Sequence, residues 1–341
     1  MSEDPSGRDL ADDAARATAV LTAVAREALP SFGFASQAAL QLVHYRENAV
    51  FRIDAPGEPH PWVMRVHRVA YRTPAEIRSE LAWTEALRTA GVRTASVRPA
   101  TSGDTVAIVG AAGLAEPRVV TVIGWIDGIP LAEDDSSDAY RLVGRTSALI
   151  QRHGRSWTPP PWFTRPTWDL DGLVGPRSLW GDYADLAPLG EERRCLMDRV
   201  ASLVRRRLDA FGRGADRFGL THADLMPDNV LVENGTPYVI DFDDCGYGWY
   251  LYDLATLLAI RTGDPAAARV RDAWVEGYRS VARLPDEHLE ILDVLVMARL
   301  LLGLGWMHTR RETPLAQALT DTVIELACYQ AESLLQRDGT S

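Results

Sequence analysis

The stretch that decides the reading is THADLMPDNVLVENGTPYVIDFDDCGYG, residues 221–248. Two apolar runs, Val230-Leu231-Val232 and Tyr238-Val239-Ile240, flank Glu233-Asn234-Gly235-Thr236-Pro237. Asn-Gly between such runs is a strong hairpin signal, because a tight turn needs positive φ at its centre. A hairpin folds the chain back on itself, so Asn229, entering the first strand, is predicted to lie near Asp241, leaving the second. Asp224 sits on the loop just before. A carboxylate and an amide oxygen on neighbouring strand ends suit a hard cation such as magnesium, which takes oxygen ligands and keeps several waters. The upstream carboxylate, Asp224, is then placed to act as a base. The competing reading is that these acids are solvated turn residues. It is strongest for Asp243 and Asp244, since three acids close together repel unless a cation binds.

Working outward, strand-like runs occur at LQLVHY, NAVFRIDA and PWVMRVHR between Leu40 and Arg68. The last two are parted by Pro56-Gly57-Glu58-Pro59, a turn cluster. Pro74 opens a helix that Gly91 stops. Two further strand-like runs cover Thr105 to Val109 and Arg118 to Trp125. Strands, one helix, then strands make a small α+β unit. It is preceded by a helix over Ala14 to Ala28, with residues 1–13 expected to be a disordered tail. Beyond Gly128 the pattern turns helical: Asp138 to His153, Glu191 to Phe211 and, after a compact β segment from Leu220 to Phe242, the remainder of the chain to its end. Thr158 to Trp180 reads as a loop rich in proline and tryptophan.

Composition narrows the chemistry. The chain has 341 residues, and all 36 basic ones are arginine, so a lysine-bearing phosphate loop and Schiff-base catalysis are excluded. Any phosphate site must use arginine. Against 47 acids the formal charge is -11, which argues against a nucleic-acid partner. Three scattered cysteines suggest a reducing compartment and neither disulfides nor zinc. The acidic, polar start is unlike a secretory signal. Ile291 to His308 is apolar but interrupted by Asp293 and Arg299, which makes it a buried helix and not a membrane span. A cytoplasmic protein without a membrane partner is expected.

The quoted segment resembles the aminoglycoside phosphotransferase and choline kinase superfamily, which has the protein-kinase-like fold. The family's His-Gly-Asp-Leu-His-Pro-Gly-Asn motif appears as His222-Ala223-Asp224-Leu225-Met226-Pro227-Asp228-Asn229. Its Ile-Asp-Phe appears as Ile240-Asp241-Phe242, and its Asp-Leu-Ala as Asp253-Leu254-Ala255. The resemblance implies that Asp224 is the catalytic base and that Asn229 and Asp241 hold magnesium on the phosphates of ATP. It further implies Asp243 as an extra ligand and Asp253 as a brace of the catalytic loop. His222 is read as a packing and hydrogen-bonding residue.

The same resemblance extends backward, loosely, to about residue 40. Tyr45 to Phe51, with Asn48, stands for the turn over the phosphates, although it lacks glycine. Arg65 occupies the place of the kinase lysine, with Glu80 as its partner. A guanidinium bridges carboxylate and phosphate oxygens with a planar fork where an ammonium acts as a point charge. Thr121 to Gly128 resembles the hinge, where backbone groups of Ile123 and Trp125 would hold the adenine. The implied organisation is a two-lobed α+β fold. Residues 14–124 form a small antiparallel-sheet, nucleotide-binding lobe with one main helix, and residues 125–336 a larger, mostly helical lobe for catalysis and the acceptor.

The implied activity is Mg-ATP-dependent transfer to a hydroxyl of a small molecule, such as an aminoglycoside, an amino alcohol or a sugar-like compound. The departures from the motif, Arg65 and Ala223, keep a nucleotide-sensing module open. A Ser/Thr protein kinase of the same superfamily and a metal-dependent hydrolase are the other readings. Trp162, Trp168 and Trp180 are open either to stacking on an acceptor or to core packing. Arg310 and Arg311 are open either to an anionic acceptor or to capping a helix end.

Overall fold

A computed structural model describes residues 5–45 and 48–339, with side chains from Arg16 onward. The chain divides into two compact units: unit 1 is residues 1–127 with 159–164, and unit 2 is residues 128–158 with 165–341.

Unit 1 opens with α1 (Pro5–Ala28), so of the expected 1–13 tail residues 1–4 lie outside the described residues and the remainder is helical. Then come β1 (Ala39–Tyr45), β2 (Ala49–Asp54), β3 (Trp62–Val66), α2 (Pro74–Thr89), β4 (Val97–Arg98), β5 (Ala107–Val109) and β6 (Arg118–Gly124). The sheet runs β1-β2-β3-β6-β4, with β5 also on β6, and every pairing is antiparallel. Helix α2 starts where the sequence places it. Thr73 accepts from the Glu76 N–H, the Glu76 carboxylate accepts from the Thr73 N–H at 2.8 Å, and Pro74 follows.

Alternation along the strands sorts the two faces of the sheet. Met64, Val66, Val120 and Val122 join Val24, Ala28 and Leu29 in one core. Val119 and Ile123 pack on Ile77 and Leu81 of α2. Arg65 is out of phase with Met64 and Val66, and so shares the α2 face. Pro159–Thr164 also belongs to unit 1, where the Thr164 N–H donates to Ser79 Oγ of α2 at 2.9 Å.

Unit 2 contains β7 (Ile129–Pro130), α3 (Ser137–Ser156), β8 (Thr167–Trp168), the short α4 (Leu170–Leu173), α5 (Gly190–Phe211) and β9 (Phe218–Thr221). These are followed by β10 (Val230–Glu233), β11 (Thr236–Val239), β12 (Gly246–Trp249), α6 (Tyr252–Ala259), α7 (Ala267–Arg279), the short α8 (Asp286–Leu289), α9 (Leu292–Thr309) and α10 (Pro314–Gly339). The hairpin β10–β11 closes with positive φ at Asn234 and Gly235, as the Asn-Gly signal requires. Besides the two-residue β4 and β7, two strands of unit 2 depart from the sequence reading. The 158–180 stretch is not all loop: β8 runs parallel to β12, and β12 interrupts the chain beyond Phe242 that the sequence pattern makes helical. The two residues of β8 carry too little periodicity to be seen, and the four of β12 include Gly246 and Gly248, which are poor strand formers.

Helix α9 is buried along most of its 18 residues, as its apolar sequence predicts, and no helix among the described residues is long and apolar enough to cross a membrane. Helices α3 and α7 touch through backbone. A Cβ on Gly144 would lie 2.0 Å from the Trp274 carbonyl oxygen, and one on Gly277 1.9 Å from that of Arg141. That closeness brings Ser147 and Gln151 of α3 under the loop after β9.

Candidate active site

The loop from Thr221 to Asn229 is built on one buried carboxylate. Asp253, at the start of α6 and 0% exposed, accepts from the Ala223 N–H and Thr221 Oγ1 (both 2.8 Å), from Ser147 Oγ at 2.7 Å and from Gln151 Nε2 at 3.1 Å. Four donors take the place of a cation in keeping this buried acid satisfied. Its grip on the Ala223 N–H holds Ala223 at φ 67, a left-handed conformation that glycine adopts more easily. His222 is buried and donates from Nε2 to the Ile240 carbonyl at 3.0 Å, while its ring packs on Phe242 at 4.6 Å. It ties the loop to the end of β11.

Asp224 follows directly. Its backbone carbonyl accepts from Met226 N at 2.8 Å and from Asn229 Nδ2 at 2.9 Å. Asn229 and Asp241 sit at the open end of the hairpin, where Ile240 N donates to Asn229 O at 3.0 Å, so the strand ends meet as expected. Asp241 has φ 59, a second positive-φ residue in the same few turns. The Asn229 amide uses its donor end on the loop, which leaves its oxygen as the end presented to other partners.

The sequence reading missed the partner of Asp224. Arg299 of α9 donates from Nη2 to Asp224 Oδ1 at 2.9 Å. Its guanidinium lies 4.3 Å from the centre of the Trp180 ring, and Nη1 reaches the Tyr252 hydroxyl at 3.4 Å. Trp168, fully buried, stacks on Tyr252 and meets Trp180 edge-on. Trp180 and Tyr252 thus wall the arginine that holds Asp224, with Trp168 packed on both, while Trp162 lies exposed in unit 1. Gly305 lets the Trp180 segment come this close, since a Cβ there would be 2.0 Å from the Gly181 carbonyl oxygen. Burial pushes the Asp224 carboxyl above the ordinary aspartate range. The Arg299 guanidinium pulls against this, and the Asp244 charge adds to the rise. An arginine in the middle of a mostly apolar helix was the available signal, since a half-buried cation calls for an acidic partner.

In unit 1 Arg65 meets Glu80, the partner expected for it. The buried guanidinium donates from Nη2 to Glu80 Oε1 at 2.5 Å. Asn48 is buried and accepts the Arg68 N–H at 3.1 Å, whereas Arg46 and Glu47 of the same turn lie outside the described residues. Ile123 pairs with Val63 and Val97 in the sheet. The Trp125 N–H donates to Pro61 O at 3.2 Å, and the Arg52 guanidinium covers the Trp125 ring at 4.8 Å. At the end of α9, Arg310 is buried over the Trp306 ring, and Arg311 donates to the His308 carbonyl at 3.0 Å, the capping role.

A family model described as the phosphotransferase enzyme family matches residues 38–290. The chain belongs to that family. As a member of the phosphotransferase enzyme family it is a kinase with the two-lobed, protein-kinase-like α+β fold. It is 31% identical over 300 residues to an uncharacterized protein of Deinococcus radiodurans, covering 85% of this chain and 82% of that one. The structure of a microcompartment-associated aminopropanol kinase is similar over 93% of this chain and 98% of its own, with a TM-score of 0.84 and 35% identity. An amicoumacin kinase in complex with AMP-PNP and Ca2+ shares the fold, with a TM-score of 0.72 at 18% identity over 88% of this chain and 90% of its own.

Proposed function

We propose that this phosphotransferase moves the γ-phosphoryl group of ATP, carried with magnesium, to the hydroxyl of a small amino alcohol, with Asp224 as the base. The observation that carries the reading is the Asp224 carboxylate itself. One oxygen is held by Arg299 and the backbone is tied to Asn229, so the second oxygen has a fixed direction in which to accept a hydroxyl proton. The 35% identity to an aminopropanol kinase over nearly the whole of both chains supports the acceptor class.

The donor set fits a nucleotide-borne cation. Asn229 offers an amide oxygen and Asp241 a carboxylate on adjoining strand ends, with Asp243 two residues on. Among the described residues no three His, Cys, Asp or Glu side chains form a cage for a metal. Magnesium bound mainly through phosphates needs only one or two protein carboxylates. The ion would supply charge neutralisation on the phosphates. The chain's own share is to orient the acceptor hydroxyl on Asp224 and to hold the nucleotide by unit 1, with Arg65, positioned by Glu80, on its phosphates and with Asn48, Ile123 and Trp125 around it. In this reading residues 14–124 are the nucleotide-binding lobe and residues 125–336 the catalytic and acceptor-binding lobe. The shared fold with a kinase solved in complex with AMP-PNP supports nucleotide use.

The test is ADP release with Mg-ATP across 1-amino-2-propanol, ethanolamine, choline, homoserine and aminoglycosides. Turnover is expected on an amino alcohol, and Asp224→Ala should lower it by about a thousandfold while leaving ADP binding intact. Undiminished turnover by Asp224→Ala would sink the assignment.

A further inference from the structure

The acid loop 241–245 is held from outside by two side chains of the segment leading into β8. Arg165, 6% exposed, donates from Nε to the Cys245 carbonyl at 2.6 Å and from Nη2 to the carbonyls of Asp243 at 2.5 Å and Phe242 at 3.2 Å. Trp168 donates from Nε1 to the Asp244 carbonyl at 2.8 Å. Every carbonyl from Phe242 to Cys245 therefore receives a donor from this one segment. The backbone closes the same seam. Tyr247 N donates to Pro166 O at 3.0 Å, β8 and β12 pair in parallel, and a Cβ on Gly246 would come within 2.3 Å of the Pro166 carbonyl oxygen.

A carbonyl fixed in direction fixes the φ and ψ on either side of it, and so the direction of the next side chain. Here the carbonyls belong to the residues that follow Asp241, itself at φ 59, and that include Asp243 and Asp244. A planar fork is the side chain that can span several carbonyls at once; an ammonium on a flexible stem cannot do so with the same geometry. We propose that Arg165 and Trp168 are positioning residues for cation binding: by holding the carbonyls of residues 242–245 they set the geometry in which Asp241 and Asp243 meet the metal carried by the nucleotide. This rests on the metal–nucleotide reading given above. It assigns a task to a proline- and tryptophan-rich segment that otherwise reads as a connector.

The experiment measures the melting temperature of the full chain with ADP alone and with ADP plus increasing magnesium, for the wild type, Arg165→Lys and Trp168→Phe. Arg165→Lys keeps the charge and loses the fork. Trp168→Phe keeps an aromatic ring beside Tyr252 and Trp180 but loses the donor together with the second ring of the indole. For Arg165→Lys the magnesium concentration giving half of the added stabilisation should rise about tenfold, in line with the effect of residues that orient ligands. The shift by ADP alone should stay as in the wild type. Trp168→Phe should move the magnesium midpoint the same way by about threefold, and it decides the question if Arg165→Lys does not fold. Wild-type magnesium midpoints in the folded variants would overturn the proposal alone, as would an equal loss of the ADP shift with and without metal. A wild type whose ADP shift ignores magnesium would overturn the metal–nucleotide reading, and this inference with it.

Discussion

Arg299 and Asp224 form an ion pair of 2.9 Å inside unit 2, with the guanidinium laid against Trp180. The pair joins the loop after β9 to helix α9, 75 residues apart in sequence. It gives the Asp224 carboxylate a fixed orientation and offsets part of what burial does to its charge.

Removing Arg299 therefore has a signed consequence for pH dependence. The Asp224 carboxyl already sits above the ordinary aspartate range because it is desolvated. A base works when ionised, so activity should be lost as pH falls through that raised value. Without the opposing guanidinium the carboxyl rises further, and the acid limb of the kcat/KM profile should move up by about one to two pH units in Arg299→Gln. An acid limb that stays in place would show that the arginine does not act on Asp224.

Asp253 organises the 221–229 loop through hydrogen bonds alone. Asp253→Ala would leave the donors of Ser147, Thr221 and Ala223 unpaired in a dry setting. A loss of about 3–5 kcal/mol is expected in urea unfolding, by the mechanism that makes broken buried networks costly. A loss under about 1 kcal/mol would mean that water replaces the carboxylate.

Arg65 is tested by two substitutions that separate packing from recognition. Arg65→Ala strands the buried Glu80 carboxylate and should lower stability by about 3 kcal/mol or more. Arg65→Lys keeps an ion pair but loses the fork, and should raise KM for ATP about tenfold with stability within about 1 kcal/mol of wild type. An unchanged KM would mean that the arginine-only composition has no consequence at this position.

Gly144 and Gly277 test the helix crossing beneath the site. Either one changed to alanine must force apart backbones that leave only 2.0 and 1.9 Å for the new carbon. We expect each to cost more than about 3 kcal/mol, against the slight gain that alanine gives in an open helix. Because α3 carries Ser147 and Gln151, the folded fraction should also show a lower kcat. Gly303→Ala on α9, whose Cβ would meet a side chain at 3.7 Å, is the control and should be nearly neutral.

Much of the site was legible because it is local. The Asn234-Gly235 turn fixes the β10–β11 register within a few residues, and that register alone brings Asn229 to Asp241. The phase of β3 alone puts Arg65 on the opposite face from Met64 and Val66, and the capping box at Thr73 sets the helix that carries Glu80. These are matters of period and turn chemistry, which neighbouring residues decide.

What only the tertiary structure decided are contacts between residues far apart in sequence. Arg299 on Asp224, Arg165 and Trp168 on the acid loop, and Ser147 with Gln151 on Asp253 span 75, about 80 and about 105 residues. None leaves a periodic trace, because each is fixed by which helix lies beside which loop. The sequence determined where the acids stand and which face Arg65 takes. Tertiary packing decided which arginines meet them, since a buried charge settles wherever folding places its partner.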